Sequence, residues 1–323
     1  MIRLVIGGVP RCGTTLAASL LSAQAHTTFV TTYLKSFEAL AESFGVQYDD
    51  LLDPSQRRAA LLKVREEMLR LRHPILLRID DFRTLGELHR RALEDLATAG
   101  DSLVGHKALL NPLRIERLLR STDARVLILL RDPRDAAVSF WYRTGSSAES
   151  YIENWKEMSR YVCERPHPRL FVARFEDLVM NPAVALRAVW RDAGIAFRRP
   201  TSLTSMTDMR DRAQPWSANT AHTDVTRVLD PNAIERWRRT RWSPLVRYAG
   251  WACAAEMRQL GYAPDPDPFS TAEHRRFGVV RSTHRLATLL TRGSRHLIGA
   301  LRRRVAPIAH DPGRTSPDDT PSP

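Results

Sequence analysis

The sequence predicts an α/β fold, a parallel sheet flanked by helices, and three observations predict it. Two apolar runs, Leu4-Val5-Ile6 and Val126-Leu127-Ile128-Leu129-Leu130, read as buried strands, because a strand covered on both faces is continuously apolar. Each run ends in a loop that opens a helix, at Gly7-Gly8 and at Asp132-Pro133. Strand and helix patterns alternate between Arg3 and Gly194, which favours parallel pairing through helical crossovers.

The elements follow in order. Arg3 to Gly7 is the first strand and enters a glycine-rich loop. Thr14 to Gln24 is a helix with Leu16, Leu20 and Leu21 on one face. Pro54 opens a long helix to Arg72, since proline suits the first helical turn. A further helix runs from Thr84 to Ala99 and is closed by Gly100. Ser102 to His106 reads as a short strand, and Asn111-Pro112 opens a helix to Ser121. Arg125 to Arg131 is the clearest buried strand, and Asp132 caps the helix that follows it to Arg143. Leu170 to Ala173 is another strand, and Asn181-Pro182 starts a helix that stops at Gly194. Between Pro200 and Pro231 no period is visible, which predicts a long loop. Helices resume at Pro231 to Arg241 and Pro244 to Leu260. Pro264, Pro266 and Pro268 punctuate the chain, so residues 1–268 are expected to form one catalytic domain. Residues 269–304 read as a basic helical extension, and residues 305–323, rich in proline, serine and aspartate, as a disordered tail.

Composition excludes several classes. A hydrophobic share of 43% with 26% charged residues excludes global disorder. No apolar run is long enough to span a bilayer, and the apolar start is too short for a secretory signal. Three scattered cysteines, Cys12, Cys163 and Cys253, fit neither a disulfide framework nor a zinc site and suit a reducing cytoplasm. The net charge is +13, and the nine arginines between Ser270 and Arg304, against one acid, supply much of it. Such a surface favours anionic partners, or serves solubility alone.

The chemistry lies in two motifs. In Leu4 to Leu16, Gly8 and Gly13 stand five apart, the spacing of a P-loop-type phosphate loop, with Thr14 and Thr15 behind them. Such a loop turns backbone N–H groups inward and adds the positive end of a helix, which together hold a tetrahedral oxyanion. The lysine of a nucleotide-hydrolysing loop is absent, with Thr14 in its slot, and the cation is Arg11. In the second motif, Arg131 ends a buried strand, where open α/β sheets bind ligands, and Ser139 lies eight residues on. The two side chains suit a second phosphate. The competing reading pairs Arg131 with Asp132 or Asp135 at a helix start.

Together these motifs resemble the sulfotransferase superfamily, whose donor is 3′-phosphoadenylyl sulfate. The family's first loop, of the form P-[K/R]-[S/A]-G-T-T, corresponds to Pro10–Thr15, and its second, R-[N/D]-P-x-D-x-x-x-S, to Arg131–Ser139. Arg174-Phe175-Glu176-Asp177-Leu178 resembles a later Y-E-D-L segment, and Glu235-Arg236-Trp237 with Leu260-Gly261-Tyr262 resembles the closing segments. The resemblance implies that Arg11 neutralises the bridging oxygen as the sulfuryl group leaves. Cys12, Gly13, Thr14 and Thr15 would line the 5′-phosphosulfate site, and Arg131 and Ser139 would bind the 3′-phosphate. No metal is implied. Cys12 stands where the family has serine or alanine, either as a quiet small residue or as an acidified thiol. The third nucleotide contact has only Ser217, Asn219 and Arg227 as candidates.

The base is less plain. Many members carry K-T-H on a strand; here Lys107 matches the lysine, and Leu109 occupies the histidine slot. Other members use a glutamate shortly after the first helix, which makes Glu38 the candidate, with Glu42 next, and His106 the alternative. Lys107 is expected near the transferring group. The arginine at the first loop leans toward carbohydrate-modifying members, so the expected acceptor is a hydroxyl or amine of a carbohydrate, glycolipid or small metabolite, its pocket built from residues 33–100 and 200–230. Rival readings are a P-loop kinase or NTPase and a nucleotide-binding membrane-associated protein with a degenerate site.

Outside the resemblance, Leu286, Leu290, Leu297 and Leu301 form one helical stripe opposite Arg285, Arg292, Arg295 and Arg303. That amphipathic helix would lie on an anionic membrane surface, or dock its leucines on the catalytic domain. Nucleic acid is not expected, because no recognised binding fold accompanies the charge.

Overall fold

The first strand, β1 (Ile2–Gly8), buries Leu4, Val5 and Ile6 completely and stands at the centre of the sheet. The computed structural model describes residues 1–265 except 72, 74, 145–147, 201–228, 230 and 241–243, together with 269–273, 275, 277 and 278. Five strands form one sheet in the order β2-β3-β1-β4-β5, with β2 at Thr27–Tyr33, β3 at Leu103–Lys107, β4 at Arg125–Leu130 and β5 at Leu170–Arg174. Every pairing is parallel, as the alternating pattern requires. Leu4 stands opposite Gly105 on one side and Arg125 on the other, so the ends of β1 and β4 open at the same edge. The ladder of β2 on β3 is interrupted: Val30 pairs with His106, but the next partner, of Lys107, is Tyr33.

Helices cover the sheet. Helix α1 (Thr14–Ser22) buries the expected Leu16, Leu20 and Leu21. Helix α2 (Ser36–Phe44) has no capping side chain of its own; Glu67 of α3 (Pro54–Arg70) accepts from the Lys35 and Ser36 amides and from the Ser36 hydroxyl. Asp53 and Gln56 form a reciprocal capping box at the start of α3. Helices α4 (Leu85–Leu96) and α5 (Pro112–Ser121) begin at side-chain caps from Thr84 and Asn111. Next come α6 (Pro133–Thr144), α7 (Ala148–Glu164), α8 (Phe175–Met180), α9 (Pro182–Ala185) and α10 (Arg187–Ala193).

The structure departs from the sequence pattern in five places. No element is expected between Gln24 and Pro54, yet β2 and α2 lie there, and α7 is likewise unexpected. The single helix expected from Asn181 is broken at Leu186, between α9 and α10. The stretch expected as a helix from Pro231 holds only two short 3-10 segments, Pro231–Ala233 and Arg236–Thr240, parted at Glu235, whose φ is +53°. The stretch from Pro244 is divided at Cys253 into α11 (Pro244–Ala252) and α12 (Ala254–Gln259).

The first compact unit runs to Phe277. Tyr248 stacks on Phe277 at 4.2 Å and meets Phe269 at 5.9 Å, so the chain past the prolines still packs against α11. Residues 278–323 are a separate unit. Its leucine stripe and arginine ridge, like Ser217, Asn219 and Arg227, lie outside the described residues.

Candidate active site

The loop after β1 is a strained, tightly packed turn. Arg11 has φ +76° and Gly13 φ +88°, both in the left-handed region. A side chain at Gly13 would sit 2.5 Å from the Phe175 ring, and one at Gly8 would meet the Leu129 carbonyl at 2.3 Å, so neither position admits a Cβ. No side chain caps α1, whose N-cap is Gly13, and its first turn therefore offers backbone N–H groups to an anion. Arg11 Nε donates to Ser139 Oγ at 3.1 Å, which bridges the two sequence motifs.

Lys107 reaches the same loop from the end of β3. Its Nζ donates to Thr15 Oγ1 at 2.9 Å, and burial pushes the amine down to about 7. His106 precedes it on the strand, so its ring faces the opposite side of the sheet. There His106 Nε2 lies 2.8 Å from His89 Nε2, and His106 Nδ1 lies 2.9 Å from the Lys107 carbonyl. Burial lowers the His106 imidazole to about 4.

The loop after β4 is closed upon itself. Arg131 Nη2 donates to Asp135 Oδ2 at 3.2 Å and to the Ala233 carbonyl at 2.9 Å, and its guanidinium lies 4.3 Å from the Phe175 ring centre. Asp132 Oδ1 accepts from the Arg134 amide at 2.9 Å, the expected helix cap. Arg134 also grips Asp132 and Asp265 and lies 3.7 Å over Trp237. The weaker sequence segments join here. Glu176 accepts from the Asp132 amide at 2.9 Å and the Tyr262 hydroxyl at 2.9 Å, and Asp135 accepts from the Trp237 amide at 2.7 Å.

A sequence profile of the sulfotransferase family matches residues 3–199, more than half of the chain and both loops. The chain belongs to the sulfotransferase family. Its fold is similar to that of the sulfotransferase domain from the curacin biosynthetic pathway, with a TM-score of 0.52 at 15% identity over 81% of this chain and 98% of that one. It is also similar to the sulfotransferase domain of the Synechococcus PCC 7002 olefin synthase, with a TM-score of 0.50 at 16% identity over 73% and 86%. A search of the curated proteins finds no match.

With the sulfotransferase frame in place, each sequence candidate has a position. Arg11, Gly13, Thr14, Thr15, Lys107 and Ser139 come together around the first loop through the two bridging hydrogen bonds. Arg131 bonds to Asp135, and Ser139 to Arg11. Cys12 is fully buried 3.7 Å from the Tyr151 hydroxyl, and burial pushes its thiol up to about 12, the direction that suits the quiet small residue. Glu38 is buried on α2. Its Oε1 accepts from the Tyr48 hydroxyl at 2.8 Å and its Oε2 faces Arg114 at 3.3 Å and Arg117 at 3.4 Å. Burial raises its carboxyl above the ordinary range, against the pull of Tyr48 and both arginines. Glu42 is bound to Arg114 at 2.5 Å. Among the described residues, no helix is long and apolar enough to cross a membrane.

Two supports are absent from the sequence reading. Tyr151 and Trp155 lie four apart on α7 and therefore share a face. Tyr151 donates to the Pro10 carbonyl at 2.8 Å in the first loop, and Trp155 donates to the Arg131 carbonyl at 2.9 Å in the second. One helix face thus sets the spacing of both loops. The signal available in the sequence is an aromatic pair at i, i+4 soon after the second motif.

Proposed function

We propose that this sulfotransferase moves the sulfuryl group of 3′-phosphoadenylyl sulfate to a hydroxyl or amine acceptor. The observation that carries the reading is the Arg11–Ser139 hydrogen bond at 3.1 Å, which joins a phosphate loop to the segment that resembles the family's 3′-phosphate site. The backbone of Gly13, Thr14 and Thr15 takes the 5′-phosphosulfate, and Ser139 takes the 3′-phosphate beside Arg11. Arg131, tied to Asp135, shapes that pocket.

In the transfer, the acceptor oxygen or nitrogen bonds to sulfur as the sulfur–oxygen bond to the phosphate breaks, and the acceptor's proton passes to solvent water. Negative charge gathers on the departing phosphate oxygen. Arg11 neutralises it, and Lys107, held at Thr15, faces the sulfuryl oxygens. The transition state of such transfers is loose, so fixed positioning and charge carry the rate. Glu38, gripped by Tyr48, Arg114 and Arg117, serves in this reading as a brace between α2 and α5, and His106 as a support of β3. The acceptor we favour is a carbohydrate, glycolipid or small metabolite. The family assignment weighs against a kinase or NTPase.

Calorimetry tests the donor. Adenosine 3′,5′-bisphosphate should bind more tightly than AMP or ATP by roughly 1.5–3 kcal/mol, the worth of a charged hydrogen bond. Ser139→Ala should erase much of that preference, and equal affinities would sink the donor assignment. For the basic extension we propose contact with an anionic lipid surface. The full chain should float with anionic vesicles at low salt, and a chain ending at Gly278 should not.

A further inference from the structure

The buried histidine pair sits next to the lysine to which the proposed function gives the sulfuryl oxygens, and its hydrogen-bond polarity can be worked out. A carbonyl only accepts, so the 2.9 Å contact of His106 Nδ1 with the Lys107 carbonyl puts the proton on Nδ1. His106 Nε2 is then bare and accepts from His89 Nε2 at 2.8 Å. His89 Nδ1 is left without a proton, and it is indeed among the buried side-chain atoms with no hydrogen-bond partner. The two rings therefore form a one-way relay running from His89 to His106 to the Lys107 peptide.

The relay stands beside an interruption in the sheet. Regular pairing of β2 with β3 breaks between Val30 and Tyr33, beside His106 and Lys107. Irregularities of this kind re-aim a strand next to functional sites. The Lys107 carbonyl is held by two donors beyond the interruption, the Leu34 amide at 3.0 Å and His106 Nδ1. On the other side, the Ala108 amide donates to the Ile6 carbonyl at 2.9 Å. Phe37 of α2 packs edge-on against His89 with ring centres 4.9 Å apart, which fixes the far end of the relay.

We propose that His89 and His106 are positioning residues for Lys107: the relay pins the peptide that aims the Lys107 amine at Thr15. This rests on the role given to Lys107 above. Neither ring touches the loop. The charged groups acting on the pair are Glu67 from α3, on His106, and Arg3 from β1, on His89. Both imidazoles are neutral at physiological pH, so the relay is constant there, and the group that titrates is Lys107.

The test uses the full chain, with two readouts. One is the slow hydrolysis of 3′-phosphoadenylyl sulfate to the bisphosphate and sulfate, followed from pH 5 to 9, which needs no acceptor. The other is the Lys107 amine titration, followed by NMR of the lysine side chain. His106→Leu should lower kcat about tenfold, move the Lys107 titration by about one pH unit and leave donor affinity within about twofold. His106→Asn, whose amide places a donor near the Nδ1 position, should restore most of both. His89→Gln, which keeps a donor near Nε2, should stay close to the parent, and His89→Leu should fall between. An unmoved Lys107 titration in folded His106→Leu overturns the proposal, as does a loss that Asn fails to restore. Lys107→Ala separates the two readings. If it leaves hydrolysis unchanged, the catalytic role of Lys107 is wrong, while the NMR titration still decides whether the relay positions it.

Discussion

The two loops at the top of the sheet carry the same kind of cation in opposite settings. In the loop after β1, Arg11 and Lys107 each donate to a hydroxyl, of Ser139 and Thr15. In the loop after β4, Arg131 and Arg134 donate to carboxylates, of Asp135, Asp132 and Asp265. A hydroxyl orients a cation; a carboxylate also neutralises it. On the proposed function, the first loop meets the incoming anion and the second holds the architecture that frames it.

The largest expected effect tests the second half of that contrast. Arg131→Ala should cost about 3–5 kcal/mol of stability by stranding the buried Asp135 carboxylate, as removal of one partner of a buried pair does. Denaturant melts check this, and a mutant that melts like the parent but loses donor binding would make Arg131 a ligand-reading residue, as the motif implies. Arg11→Ala should do the reverse, cutting turnover about 10²–10³-fold while changing the melting temperature little. Arg11→Lys should recover part of the rate.

Lys107 sharpens the comparison through pH. Burial lowers its folded pKa from 10.5 to about 7, so the unfolded chain binds the extra proton between those values. Stability contributed at this site therefore rises with pH from 7 toward 10.5 and is lowest below 7. Lys107→Met should flatten that slope and stabilise the protein near neutrality by about 2–4 kcal/mol, at the cost of turnover. Melts at a series of pH values decide it. The smallest effect belongs to the shared support. Tyr151→Phe removes one bond to the first loop and should cost about 1 kcal/mol, with weaker donor binding. If binding is unchanged, α7 does not set the loop.

Much of this was legible in the chain because periodicity and turn chemistry are local. The continuous apolar runs of β1 and β4 and the proline starts of α3, α5, α6 and α9 are written within a few residues. The strand Thr27–Tyr33 is hidden by its threonines, whose β-branched shape suits a sheet although they are polar. The roles at the site were harder for the same reason. Both Arg11 and Arg131 follow from the motifs, and Asp135, four residues on, is a visible partner for Arg131, but the hydroxyl that Arg11 meets lies 128 residues away. His89 carries no local signature, and the aromatic pair of Tyr151 and Trp155 gives no hint of its target, since each acts through a residue that only the fold brings near.

The strand order has a consequence for synthesis. Of the five strands the central one is made first, yet its partners begin at Leu103 and Arg125, and among the described residues β2 pairs only with β3. At roughly 5–20 residues per second, the apolar segment Leu4-Val5-Ile6 waits about 5–25 s on the ribosome before both neighbours exist. Throughout that interval the nascent chain presents an unpaired, sticky strand. Ribosome-bound chains stopped before Leu103 should recruit holding chaperones, and those carried past Arg174 should release them.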